Sequence, residues 1–443
     1  MSDPSVSPAV LEALQRETFN YFVHEANPNN GLIVDKTQAG APASIAAVGL
    51  ALSSYPVGVE RGFITRENAI QRTLATLRFF QNSVQSAAPD ATGYMGFYYH
   101  FLDMTNGKRV WKCELSTVDT AFLVAGMLTA AAYFVNDTAE EREIRELANE
   151  LYLRTDWNWA QNGGVTVTHG WKPESGFLPY RWQGYDEALF LYLLGLGSPT
   201  HPLPKQSYAQ WTSTYEWKTI YGHELLYSGP LFTHQISHIW IDFRGIQDDY
   251  MRGKRIDYFE NSRRATYVQR RYAIDNPAYF NAYGANCWGI TASDGPGPKE
   301  RTIKGHKRKF FGYEARGVPD GPDDGSIAPW AVVASLPFAP EIVLPTLFHF
   351  ETLKLREKNP YGFKATFNAT FSDRSDPLRS WVSPFHFGLN QGPIVLMIEN
   401  YRSGLIWRLM RQCPYLVRGL RRAGFTGDWL GAHYVAGAPT APP

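Results

Sequence analysis

The chain has 443 residues, with 43 Lys plus Arg against 42 Asp plus Glu, so it has neither the basic stripe of a nucleic-acid binder nor an acidic tail, and its partner is expected to be uncharged. Aromatic residues make up 14%, with 13 Trp and 25 Tyr, more than a core requires, and such rings suit a ligand that is half apolar and half hydrogen-bonding. The three cysteines, Cys113, Cys287 and Cys413, are odd in number and far apart, which argues against a disulfide framework and a zinc knuckle and for buried free thiols.

The N-terminus, MSDPSVSPAVLEALQRE, lacks the basic start and apolar run of a secretory signal, so a cytoplasmic location is expected, or a periplasmic one if the chain is a processed form. Residues 1–7 and 436–443 are expected to be flexible. No Gly/Ser run, Pro-rich spacer or charge block divides the sequence, which predicts a single domain over 1–443.

In chain order, residues 7–25 read as an amphipathic helix with Leu11, Leu14, Phe19 and Phe22 on one face. A loop carrying Asp35 follows, then a small, apolar segment over 43–54 and an amphipathic helix from Thr65 to Phe80. Residues 93–113 alternate like a hairpin, with a turn expected at Thr105-Asn106-Gly107-Lys108, and are placed as an excursion at the mouth of the fold. Next come Glu114 and Asp119 at the start of an apolar helix. Ser116 with Asp119 three residues on has capping-box spacing, so Asp119 is read as a cap, as a functional acid, or as both. The apolar run 121–135 is shorter than the ~18 residues of a membrane span and reads as a core helix. An amphipathic helix over 138–154 begins with its own box, Thr138 to Glu141. Gly164 to Thr168 is the one convincing β-branched run.

The stretch 171–192, WKPESGFLPYRWQGYDEALFLY, sets Asp186 and Glu187 between aromatic loop and apolar helix. Both acids are placed in the first helical turn, where they could simply complement the helix dipole. Alternatively, they are acids on a rigid mount beside sugar-stacking rings such as Trp182 and Tyr185. His234 and His238 share the spacing of zinc-binding helices, but Gln235 stands where a metalloprotease needs its glutamate, so no metal is expected and hydrogen bonding is the better role. Trp240 continues the polar and aromatic alternation. Over 255–281, Arg263, Arg264, Arg270 and Arg271 are dispersed at helical spacing and are expected to pair with local acids rather than bind RNA. Trp288 reads as a sugar platform, and the acidic turn 320–325 as a loop anchor rather than a calcium site. Asn390 opens a helix carrying Glu399 and Arg402, which are one turn apart and could pair.

All-apolar and amphipathic helices, roughly ten to twelve in all, alternate along the chain, as in an all-α barrel of two concentric rings, an (α/α)6 toroid. The blocks ELSTVDTAFLVAGML, GYDEALFLYLLGLGSP, SGPLFTHQISHIWIDFRG, DDGSIAPWAVVASLPFAPE and NQGPIVLMIENYRSGLIW resemble those of the bacterial glucoamylase-like family that includes the β-1,2-glucanases of glycoside hydrolase family 144. The similarity runs in order from about Leu11 to Trp429. What the resemblance implies is an (α/α)6 barrel and inverting hydrolysis of β-1,2-glucan with release of sophorose or short oligosaccharides, without a cofactor. It also implies Glu187 as proton donor and Asp119 at the scissile bond. The general base is left among Asp119, Glu114 and a water relay. Asp35, Glu114, Trp182, Tyr185, Asp186, His234, Trp240, Trp288, Asn390 and Glu399 are the expected substrate contacts. A transferring or exo-acting relative, an α-glucan glucoamylase and a non-catalytic glucan-binding protein are the alternatives, and the oligomeric state is open.

Overall fold

Five segments that are apolar on nearly every face become buried helices: Ile45–Glu60, Thr117–Tyr133, Leu189–Gly197, Pro329–Ala334 and Gly388–Arg402. In the computed structural model, which describes residues 8–303, 305–371 and 380–431, they form an inner ring. The sixth member is a pair of 3₁₀ turns, Leu231–His234 and Ile236–Ile239. Ile45–Glu60 packs on Thr117–Tyr133 and on Gly388–Arg402, which in turn packs on Pro329–Ala334. The ring closes through Phe190 against Trp240, centroids 5.0 Å apart, and through Gln235 Nε2 donating to the Ala331 carbonyl at 2.6 Å.

Each inner member carries an amphipathic helix outside it. Pro8–Phe19, Arg66–Asn82, Ala139–Leu153, Pro414–Arg422, Tyr258–Asp275 and Pro340–Thr352 lie respectively on 388–402, 45–60, 117–133, 189–197, 231–234 and 329–334. This is the (α/α)6 barrel. Glycine sets how closely two inner helices approach: a Cβ on Gly126 would stand 2.1 Å from the Gly49 carbonyl oxygen, so those backbones are in direct contact. Among the described residues no helix is long and apolar enough to cross a membrane. The tails 1–7 and 436–443 lie outside the described residues.

Several local expectations are corrected. Helix 7–25 is interrupted at Asn20 into Pro8–Phe19 and Tyr21–His24. Helix 255–281 is shortened to Tyr258–Asp275, capped by Asp257 and ended by Asn276 in the left-handed region. The run 164–168 is not a strand, because Val167 N–H donates to the Tyr192 hydroxyl and Thr168 N–H to the Ala160 carbonyl, leaving only a bridge to Arg181. The tight hairpin turn is Met95-Gly96, both at positive φ, joining Gly93–Tyr94 to Phe97–Tyr99. The Asp103–Lys108 loop is a second turn closed by the Leu102–Arg109 bridge. The arginines do pair locally, Arg263 with Glu341, Arg264 with Glu260 and Arg271 with Asp275, while Arg270 caps the Ala285 carbonyl. In the 320–325 turn, Asp324 forms a fully buried ion pair with Arg316 at 2.8 Å, and Asp323 accepts from Tyr272 and Tyr283.

Candidate active site

The hairpin at one end of the barrel ties together two inner-helix starts. Tyr98 pairs with Ser116, just before Thr117–Tyr133, and Phe101 pairs with Ser44, the N-cap of Ile45–Glu60. His100 is held between them. The inner helices therefore open onto one cavity of about 460 Å³, lined by Ser44 and Asp119 from two of them, Glu187 just ahead of a third, Trp330 from a fourth and Asn390 from a fifth. Its size is in the range of a small-ligand site. The partial positive charge of several helix N-termini is directed at one place, which favours gathering acids there.

Asp119 is the third residue of its helix. Its backbone N–H donates to Ser116 Oγ at 3.2 Å, and that hydroxyl donates to Asp119 Oδ2 at 2.5 Å. The cap thus fixes the carboxylate while leaving Oδ1 without a protein hydrogen bond among the described residues. Glu187 is not in a first helical turn, as expected from the sequence, but precedes the helix that starts at Leu189. Its carboxyl has no hydrogen bond or ion pair among the described residues and opens into the cavity. Burial, with the charges of Asp119 and Asp186 adding to it and His100 opposing, raises Glu187 to about 8, so it carries a proton at neutral pH.

Asp35 lines the same cavity from its loop, where its backbone carbonyl accepts from Gly388 N–H at 2.8 Å. Burial raises its carboxyl to about 6, Asp119 adding to the effect and His100 and Lys36 opposing it. Glu114 stands behind the wall, hydrogen-bonded at 2.8 Å to Nδ1 of His100, whose Nε2 lies 3.7 Å from Asp119 Oδ2. Burial works against a charged His100 ring, yet Asp119, Glu114 and Asp35 outweigh it and raise the imidazole to about 9.

Asp35, Asp119, Glu187 and Asn390 are thus brought to one cavity, and the other expected contacts are not. Trp240 has no exposed surface: its ring is packed on Phe122 and Phe190 and its N–H donates to Ser53. Trp288 is equally buried and donates to Thr346. Neither can stack on a sugar. Trp182 is stacked on His169 and donates to Thr117, so its polar edge is used in bracing the Asp119 helix. Tyr185 is buried edge-on to His234, whose Nε2 is bonded to the Ser228 carbonyl. Asp186 accepts from Ala188 N–H and Trp211 N–H; burial raises it to about 7, but it fixes the loop rather than lining the cavity. Glu399 pairs with Arg61 at 2.7 Å instead of Arg402, which goes to Glu12. His234 and His238 sit on separate 3₁₀ turns with different partners, Asn261 and Ser262. Among the described residues no three His, Cys, Asp or Glu side chains are grouped as metal ligands.

The sequence reading missed His100, Trp111 and Tyr313. Trp111 and Tyr313 are 64% and 58% exposed and line the same cavity, so these rings, rather than Trp240 and Trp288, are available to a sugar. Trp111 and Lys112 at consecutive positive φ are the local peculiarity that sets Trp111 outward.

Residues 179–414 match the Glycoamylase family model, described as "Putative glucoamylase". The chain belongs to this family. A protein of known structure from Bacteroides uniformis, described as a "putative glucoamylase", is 34% identical with a TM-score of 0.84, over 96% of this chain and 99% of that one. The endo-β-1,2-glucanase from Chitinophaga pinensis, solved with sophorotriose and glucose, is 27% identical with a TM-score of 0.83, over 96% of this chain and 100% of that one. The curated relative is an exo β-1,2-glucooligosaccharide sophorohydrolase acting at the non-reducing end, from Parabacteroides distasonis, 29% identical over 95% of this chain. The chain spans 58% of that relative's length. The glucoamylase of Hormoconis resinae, 11% identical with a TM-score of 0.53, shares the fold.

Proposed function

We propose that this Glycoamylase-family chain, acting as one barrel domain, hydrolyses β-1,2-glucan with inversion and releases sophorose or short β-1,2-gluco-oligosaccharides. The observation that carries the proposal is the meeting, at one cavity, of an unpartnered Glu187, whose carboxyl burial raises to about 8, with the Ser116-fixed Asp119. The β-1,2-glucan substrates in the names of the Chitinophaga and Parabacteroides relatives support the substrate class.

In the proposed reaction Glu187 gives its proton to the leaving glycosidic oxygen. Asp119 takes a proton, through its free Oδ1, from the water that attacks the anomeric carbon on the opposite face. Inversion requires the two carboxyls to stand ~6.5–9.5 Å apart, with the water between Asp119 and the sugar. Glu114 is a weaker candidate for the base, since His100 occupies one of its oxygens and it stands behind the cavity wall. The test is to incubate the protein separately with linear β-1,2-glucan, cyclic β-1,2-glucan and starch, and to separate the products. Sophorose or a short β-1,2 ladder from the linear polymer is expected. Products from starch alone would overturn the substrate assignment, and sophorose alone, with no ladder, would place the action at a chain end.

A further inference from the structure

We propose that His100 is a positioning residue for the reacting pair: tethered through Nδ1 to Glu114 and laid flat on Phe101, it sets a positive charge beside Asp119 Oδ2 and leaves Oδ1 open to the attacking water. This rests on the reading of Asp119 and Glu187 as the reacting pair. Glu114 and Asp119 flank the ring from one segment and Asp35 acts on it from its loop; Glu187 acts on it across the cavity, Asp294 and Tyr313 share the cavity wall, and Lys36 is the other cation there. Five carboxyls surround so small a space, those of Asp35, Asp119, Glu187 and Asp294 on the cavity wall and that of Glu114 on the His100 ring, and like charges that share a site push protonation onto one of them. A cation fixed beside one of them biases which.

The geometry assigns that cation. Nδ1 is bound to Glu114 Oε1 at 2.8 Å, and the ring lies flat on Phe101, interplanar angle 11° and centroids 3.9 Å apart, so its orientation is set. Nε2 then stands 3.7 Å from Asp119 Oδ2, outside hydrogen-bond length but well inside charge range. The contact stabilises the carboxylate without covering it. Ser116 Oγ already occupies Oδ2, so Oδ1 stays open to water. The placement of His100 depends on strand pairings on both sides of it, Tyr98 with Ser116 and Phe101 with Ser44, so the hairpin is part of the site.

His100→Asn separates the two functions of the ring, since an asparagine amide can replace Nδ1 as donor to Glu114 but carries no charge and does not reach Asp119. The pH dependence of kcat/KM on linear β-1,2-glucan is the readout, because its limbs report the free enzyme's base and acid. The acid limb of His100→Asn is expected to move up by about one pH unit or more, with the alkaline limb moving up as well. A purely structural tether predicts an unchanged profile, and that result would overturn the proposal. An NMR titration of the imidazoles in the unmodified protein gives a second answer independent of the variant's folding. His100 is expected to stay protonated past pH 8, and a midpoint near 6.5 would also refute it. Wild-type protein inert on β-1,2-glucan would instead remove the proposed function, leaving the titration to decide whether the imidazolium bridge exists.

Discussion

Ser116 and Asp119 hold each other twice: the Ser116 hydroxyl accepts from the Asp119 backbone N–H and donates to its carboxylate. One residue therefore starts the helix and aims the acid. Ser116→Ala is expected to reduce stability by about 1 kcal/mol, as for loss of an N-cap. It should also reduce kcat on β-1,2-glucan more than that stability change explains, because Asp119 loses the bond that orients it. Melting temperature and kcat measured on the same variant check this; a cap alone predicts full turnover in the folded protein.

Trp111 makes the opposite test, since it is exposed and lines the cavity. Aromatic contacts are worth about 0.5–1.5 kcal/mol, so Trp111→Ala is expected to raise KM by ~2- to 10-fold with little change in melting temperature. An unaltered KM would take Trp111 out of the binding surface.

Arg61 and Glu399 are a structural pair. Arg61→Ala leaves the Glu399 carboxylate, 1% exposed, without its cation, and removal of one partner of a buried pair typically costs about 3–5 kcal/mol. Denaturant unfolding should show a loss of that order, while the folded fraction keeps its KM. A raised KM with unchanged stability would return Glu399 to the substrate site.

How much of this was legible in the sequence follows from the range of each interaction. The inner helices and the Ser116–Asp119 cap depend on neighbours within a few residues, and both could be read from spacing. Glu187 was legible as an acid before an apolar helix, but its position ahead of the first turn was not, because the loop is fixed by Trp211 donating to Asp186 across 25 residues. His100 was missed because its partners arrive through strand pairing. Trp240 and Trp288 were misread because ring type does not reveal which face of an element looks inward. The sixth inner element was obscured for a similar reason, since an i, i+4 histidine pair suggests an α-helix where the backbone makes two 3₁₀ turns.

Stability should depend on pH through the same acids. Glu187 and Asp186 are raised to about 8 and about 7, so between the ordinary carboxylate range and those values the folded chain binds more protons than the unfolded one. Stability is therefore expected to fall as pH rises from about 5 to 8. His100, raised to about 9, adds to the fall at the upper end. Glu187→Gln removes one of these contributions and should lose less stability than wild type over that window. Melting temperatures across the range check it, and parallel curves would contradict the raised Glu187.

Turnover by Glu187→Gln is the most direct measurement. Glutamine keeps the shape of the side chain but has no proton to give to the leaving oxygen, a contribution of ~10²- to 10⁴-fold in rate. On linear β-1,2-glucan, kcat is expected to fall by that factor, with glucan affinity close to that of wild type and a melting temperature no lower. A Glu187→Gln protein that releases sophorose or short oligosaccharides at the wild-type rate would contradict the account.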